Sequence, residues 1–167
     1  MTMTTPREEQ AKLSAALRSG KYVQGFGMLE EVDGSGKSVG MCCLGVYCNI
    51  VVDDGGPLRR TTSKGANPVV FLDDEGSRMT AGLGPSISMR LGLTSTEGAL
   101  GHFSLDQWTL DRIVGYFSQS ASRLLHVGDT MSLAAMNDQG VPFDVIADVI
   151  DHRPPGLFVK DEQYASL

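Results

Sequence analysis

From Leu44 to Val52 the chain reads LGVYCNIVV, a nearly continuous apolar run without a charge. A bilayer-spanning helix needs about 20 such residues, and no stretch of the chain approaches that length. The run therefore belongs inside a protein core, and the rest of the chain has to cover it. Leu44, Tyr47, Cys48 and Val51 share one face at helical spacing, which predicts a short buried helix starting near Cys43 rather than a strand.

The segments around this run supply the cover. Thr5 is placed to cap a first helix, with Pro6 in its first turn and Glu8 completing a capping box. Leu13, Ala16 and Leu17 form its apolar stripe, and Gly20 stops it. Residues 26–32 and 38–43 flank Gly34-Ser35-Gly36 and predict two antiparallel strands about a turn. Residues 53–67 have loop composition, PVVFL at 68–72 reads as a strand, and Arg78–Ala81 as another after the turn DDEG. Short helices are expected at Ser86–Leu91 and, capped by Ser104, at Leu105–Phe117, with residues 94–104 as loop. Near the end, a helix at Met131–Met136 meets the turn Asn137-Asp138-Gln139-Gly140. A helix over Phe143–His152 comes next, with Phe143, Ile146, Ala147 and Ile150 facing inward and Asp144, Asp148 and Asp151 outward. These elements predict a single α+β domain over residues 1–158, a small antiparallel sheet with N-terminal and C-terminal helices packed on it, and a loosely held tail at 159–167.

Charge and cysteine usage narrow the function. A net charge of −6 argues against broad attraction to nucleic acid or anionic membrane. The acidic residues are also too dispersed for a DNA mimic. The N-terminus MTMTTPREEQ lacks the basic and apolar regions of a signal peptide. With three cysteines, two of them adjacent, the chain fits no secreted disulfide framework. The expected compartment is the cytoplasm.

Three patterns suggest chemistry, and each is incomplete. DGSGKS at 33–38 resembles the end of a phosphate-binding loop, but the motif GxxxxGK[ST] requires glycine at position 31, which is Glu31. Val39-Gly40-Met41 then reads as strand where the loop needs a helix N-terminus. Cys42, Cys43 and Cys48 could join a histidine at 102, 126 or 152 around zinc, yet their apolar neighbours favour core packing. No partner is evident for a catalytic cysteine. LAAMNDQGVPFDVIADVI opens like a helix-turn-helix, but Pro154-Pro155 stand where the reading helix should begin. No catalytic residue, metal ligand or cofactor is assigned.

Basic residues gather at Arg18 with Lys21, and at Arg59, Arg60 and Lys64 among the hydroxyls of Thr61, Thr62 and Ser63. Such a loop can clamp phosphate, although solvated loop charges explain it too. Tyr22 and Gln24 add an aromatic face and an amide beside Lys21. The candidate ligand-binding residues are therefore Lys21, Tyr22, Gln24, Arg59, Arg60 and Lys64.

Two segments together carry a resemblance. ALRSGKYVQGFGMLEE…MCCLGVYCNI and LAAMNDQGVPFDVIADVID resemble a family of small, mostly uncharacterised bacteriophage and prophage proteins. Its pattern is SGxYxQG, CCLGV, and NDxG before FxxIA. Residues 16–50 and 133–151 match, about one-third of the chain, with a departure at Pro142 in place of a Ser or Thr cap. The resemblance implies phage origin and action in the host cytoplasm, and it brings no catalytic residues. The expected function is a non-enzymatic accessory protein that binds a small phosphorylated or nucleotide-like host molecule, such as a defence signal. The alternative is a protein-binding inhibitor of a host or defence enzyme, using the acidic face of Asp144, Asp148 and Asp151 or an exposed loop. An enzyme with an unrecognised site is a weaker third. Partners are a small ligand or a host protein, not nucleic acid or membrane, and a homo-oligomer is left open.

Overall fold

A computed structural model describes residues 4–62, 69–94 and 100–160. The fold is α+β, built on the buried run. That run forms helix α2 (Cys43–Asp53), in which Cys43, Leu44, Val46, Tyr47, Cys48 and Val51 are all fully buried. The expected helical face is present, but burial extends around it because packing arrives from several sides. Helix α1 (Pro6–Arg18) carries the expected capping box: Thr5 N–H donates to Glu8 Oε2 at 2.6 Å and Glu8 N–H to Thr5 Oγ1 at 3.3 Å.

Strands β1 (Glu30–Val32) and β2 (Ser38–Met41) form the predicted antiparallel hairpin. Strand β3 (Leu58–Thr61) pairs antiparallel with β4 (Val70–Asp73), which pairs with β5 (Arg78–Met79). Backbone bonds from Leu29 N–H to Thr80 O (2.7 Å) and Val69 N–H to Glu30 O (3.2 Å) tie the hairpin to these strands. Helix α3 (Pro85–Leu91) is next in the chain. Strand β6 (His102–Ser104) pairs antiparallel with β7 (Thr130–Ser132). Between them lie α4 (Gln107–Ile113) and α5 (Gln119–Ser122), and after them α6 (Leu133–Asp138) and α7 (Phe143–His152).

Four features differ from the expectations drawn from sequence. Residues 58–61 are an edge strand rather than loop: Leu58 is anchored in the core and the segment pairs with β4, leaving Arg59 and Thr61 exposed and Arg60 half-buried. Residues 102–104 are strand, not loop. The helix expected from Met131 starts two residues later, capped by Ser132, whose Oγ accepts from Ala135 N–H at 3.0 Å. Asp106, not Ser104, caps α4 and accepts from Thr109 N–H at 2.8 Å.

The β-structure is also divided into three small sheets rather than one. Helices α1 and α7 pack on each other more extensively than either packs on a strand. They run antiparallel: Gln10 meets Arg153 at one end, while Arg18 reaches Asp148 (2.7 Å) at the other. Where α1, α2 and α3 meet, the fully buried Glu9 accepts from Tyr47 Oη (2.9 Å) and Arg90 Nη2 (3.1 Å), and from Thr4 and Lys12. Although burial opposes ionisation, the bonds from Arg90, Thr4 and Tyr47 prevail and hold the carboxyl down at about 2.

In the expected tail, Val159 N–H bonds Gly92 O at 2.9 Å, and residues 161–167 lie outside the described residues. Among the described residues no helix is long and apolar enough to cross a membrane.

Candidate functional site

The segment after α1, the start of α2 and the end of α6 meet at one buried amide. Asn137 Oδ1 accepts from Cys43 N–H (3.2 Å) and Gln24 Nε2 (3.3 Å), while its Nδ2 donates to Gly25 O (2.7 Å). Gln24 Nε2 also donates to Val141 O at 2.9 Å, and Gly27 N–H to Asp138 Oδ1 at 2.8 Å. Backbone contact is tight around this junction. A Cβ on Gly25 would lie 2.8 Å from Gly40 C, and one on Gly45 only 1.7 Å from Leu29 O. The QG, the CCLG and the NDxG are thus joints between segments, and Gln24 spends its donor inside the fold.

Beside this junction lies a cavity of about 390 Å³ lined by Lys21, Tyr22, Val23, Glu30, Ser38, Met41, Asn49 and Arg60. Its walls come from four places: the segment after α1, the β1–β2 hairpin, α2 and β3. Three of the residues singled out by sequence, Lys21, Tyr22 and Arg60, meet here. Lys21 Nζ sits 5.0 Å from the Tyr22 ring centroid and 3.8 Å from Asp53 Oδ2. Tyr22 and Asp53 raise its pKa, so the ammonium stays charged. Asn49 Nδ2 reaches Tyr22 Oη at 3.4 Å. Arg60 forms a fork on the buried Glu30, with Nε to Oε2 and Nη2 to Oε1 both at 2.7 Å. That pairing raises the arginine pKa and balances its charge. The cavity therefore offers one exposed ammonium, one aromatic face, a hydroxyl and an amide over a neutralised ion pair.

Arg59 does not line this cavity. Successive strand residues point to opposite faces, so a strand here separates the adjacent arginines that a loop would have let converge. Lys64 lies outside the described residues. Glu30, Ser38 and Asn49 were not anticipated from sequence, since no local pattern marks them. Only the register of β1 against β2 and the turn of α2 bring them together.

The remaining candidates resolve into structure. Asp33 Oδ1 accepts from the amides of Ser35 (2.8 Å) and Lys37 (3.1 Å), so an acid occupies the centre of the GSGKS turn. Cys42, Cys43 and Cys48 are buried free thiols, and burial pushes each pKa up. Among the described residues no group of three His, Cys, Asp or Glu is placed to hold a metal ion. On α7, Asp148 is held by Arg18 and by Arg112, and both keep its carboxyl below the usual range. Arg18 also reaches Asp151 at 2.7 Å. The acidic face is substantially neutralised by its neighbours.

No protein-family model, curated protein or solved structure matches this chain.

Proposed function

We propose that the protein is a non-enzymatic binding protein that captures a small phosphorylated, nucleotide-like molecule in the cavity bounded by Lys21, Tyr22 and Arg60. The observation that carries this reading is the convergence of an exposed ammonium, an aromatic ring and an amide on one cavity of about 390 Å³, within the volume range of small-molecule sites. Lys21 would meet a phosphate, Tyr22 with Val23 and Met41 would hold a flat apolar body, and Asn49 and Ser38 would bond its polar edge. The resemblance to phage and prophage proteins supports a setting in the host cytoplasm, where the ligand would be a defence signal.

The test is calorimetry of the purified protein with mono-, di- and cyclic nucleotides. One nucleotide should bind per chain, and Tyr22→Ala and Lys21→Glu should each weaken binding about tenfold or more. Lys21 is exposed, so its variant should keep the parent's melting temperature, whereas Tyr22 packs half-buried against the core and its variant should melt lower while still folding. If no nucleotide binds at millimolar concentration and none is retained from host-cell extract, the reading fails.

One observation favours the alternative, an inhibitor that docks on a host protein. Val23, Phe26 and Val39 are 66%, 54% and 48% exposed, on the 23–28 segment and the strand it borders. A single stoichiometric protein pulled from host lysate, released by Phe26→Ser, would support that reading over ligand capture.

A further inference from the structure

Arg60 carries more donors than the fold consumes. A guanidinium has five N–H bonds arranged in rigid forks. Glu30 takes one fork side-on, with Oε2 accepting from Nε and Oε1 from Nη2, both at 2.7 Å. Two N–H bonds on Nη1 and one on Nη2 are left over, and one from each nitrogen together make a second, end-on fork. Among the described residues no other group bonds this guanidinium.

Both partners are held in place before any ligand arrives. Glu30 stands in β1 opposite Met41, and its carbonyl accepts from Val69 N–H at 3.2 Å. Arg60 leaves β3 on the same face as the buried Leu58, two residues before it, and β3 is paired with β4 along its length. The Glu30 side chain is 1% exposed and that of Arg60 29%, so the part of the pair that reaches the cavity is the outer edge of the guanidinium. A side chain fixed by two hydrogen bonds has already lost its rotamer freedom, so a ligand gains its donors at little entropic cost.

The pairing also decides what the free fork can accept. A phosphate set on it would bring a second anion close to a buried carboxylate, where water screens repulsion poorly. A neutral group with two acceptors side by side meets the fork without that repulsion. Guanine has such an edge, since N7 and O6 both accept. Adenine sets an amino group beside N7, so one N–H of the fork would face another donor, and the pyrimidines offer at most one acceptor there.

We infer that the cavity selects guanine, with Arg60 bonding N7 and O6 while Tyr22 stacks on the ring. This rests on the reading of the cavity as a nucleotide site and adds the base that the site takes. Lys21 keeps the phosphate, and Glu30 is a positioning residue that aims Arg60 and cancels its net charge.

The experiment is calorimetry of the purified protein with guanosine, inosine and adenosine monophosphates, each linear and cyclic, and with 7-deazaguanosine monophosphate. Guanosine and inosine forms share N7 and O6, and both should bind about tenfold or more tightly than the adenosine form. The 7-deaza analogue has C–H in place of N7 and should fall towards the adenosine form. Arg60→Lys keeps a cation on Glu30 but removes the fork, so it should bind guanosine and adenosine forms alike. Its circular dichroism spectrum should match the parent's, and the analogue series on the unaltered protein reads the same contact without any substitution. If the adenosine form binds as tightly as the guanosine form, or the 7-deaza analogue as tightly as its parent nucleotide, guanine selection is overturned and nucleotide capture stands. If no member of the series binds at millimolar concentration, both are overturned.

Discussion

Glu9 concentrates more of the fold's electrostatics than any surface pair. Its carboxylate is fully buried and accepts from side chains on α2 and α3 as well as from Thr4 and Lys12. Its pKa falls from 4.5 to about 2 on folding. A depressed carboxyl contributes stability that is complete above its unfolded value and is lost as pH falls through its folded value. The window therefore runs from about 4.5 down to about 2, and the contribution above it is about 3 kcal/mol. Glu9→Gln should destabilise the protein at neutral pH by about 3 kcal/mol, because Arg90 is left without its counter-charge. In urea melts the gap between the variant and its parent should shrink by about half or more on going from neutral pH to about pH 3. An equal gap at both pH values would assign the cost to shape rather than charge. Surface pairs such as Lys21 with Asp53 are worth far less, since water screens them.

At the scale of elements, Gly45 reverses an ordinary rule. Alanine in a helix interior is favoured over glycine by about 1 kcal/mol. Here the added Cβ would stand 1.7 Å from the Leu29 carbonyl oxygen, where backbone meets backbone and no side chain can yield. Gly45→Ala should lose more than about 3 kcal/mol, with α2 displaced from the hairpin; thermal melts give the sign directly. The helices with strong end signals were legible in sequence: the capping box of α1, the burial of α2, and α7 after its glycine turn. Strands β6 and β7 were not, because three residues carry no usable period and their pairing spans the whole α4–α5 excursion. The site obeyed the same division. Lys21 and Tyr22 announced themselves by chemistry beside a helix end. Arg60 was visible too, but its cancellation by Glu30 depends on sheet register, which neither residue's neighbours encode. Arg59 misled because a polar edge strand and a polar loop have the same composition.

For the whole molecule, helices α1 and α7 are antiparallel neighbours, and Asn137 ties two further segments, Gln24-Gly25 and the start of α2, together from within. Contacts of such long sequence separation slow folding, because loop closure precedes the burial that rewards it. They also bring Arg7 and Lys160 to the walls of one cavity, so a short link could join the start of α1 to the end of the described chain. Opening the chain instead at Ser35, in the solvent-exposed turn between β1 and β2, interrupts no element. A circular permutant of that design should give the parent's circular dichroism spectrum and a cooperative melt. A molten product would mean that the β1–β2 turn guides assembly. If the permutant folds, the arrangement is a closed loop whose starting point evolution or an engineer is free to choose. A reporter domain inserted at Ser35 would then leave both cavities intact.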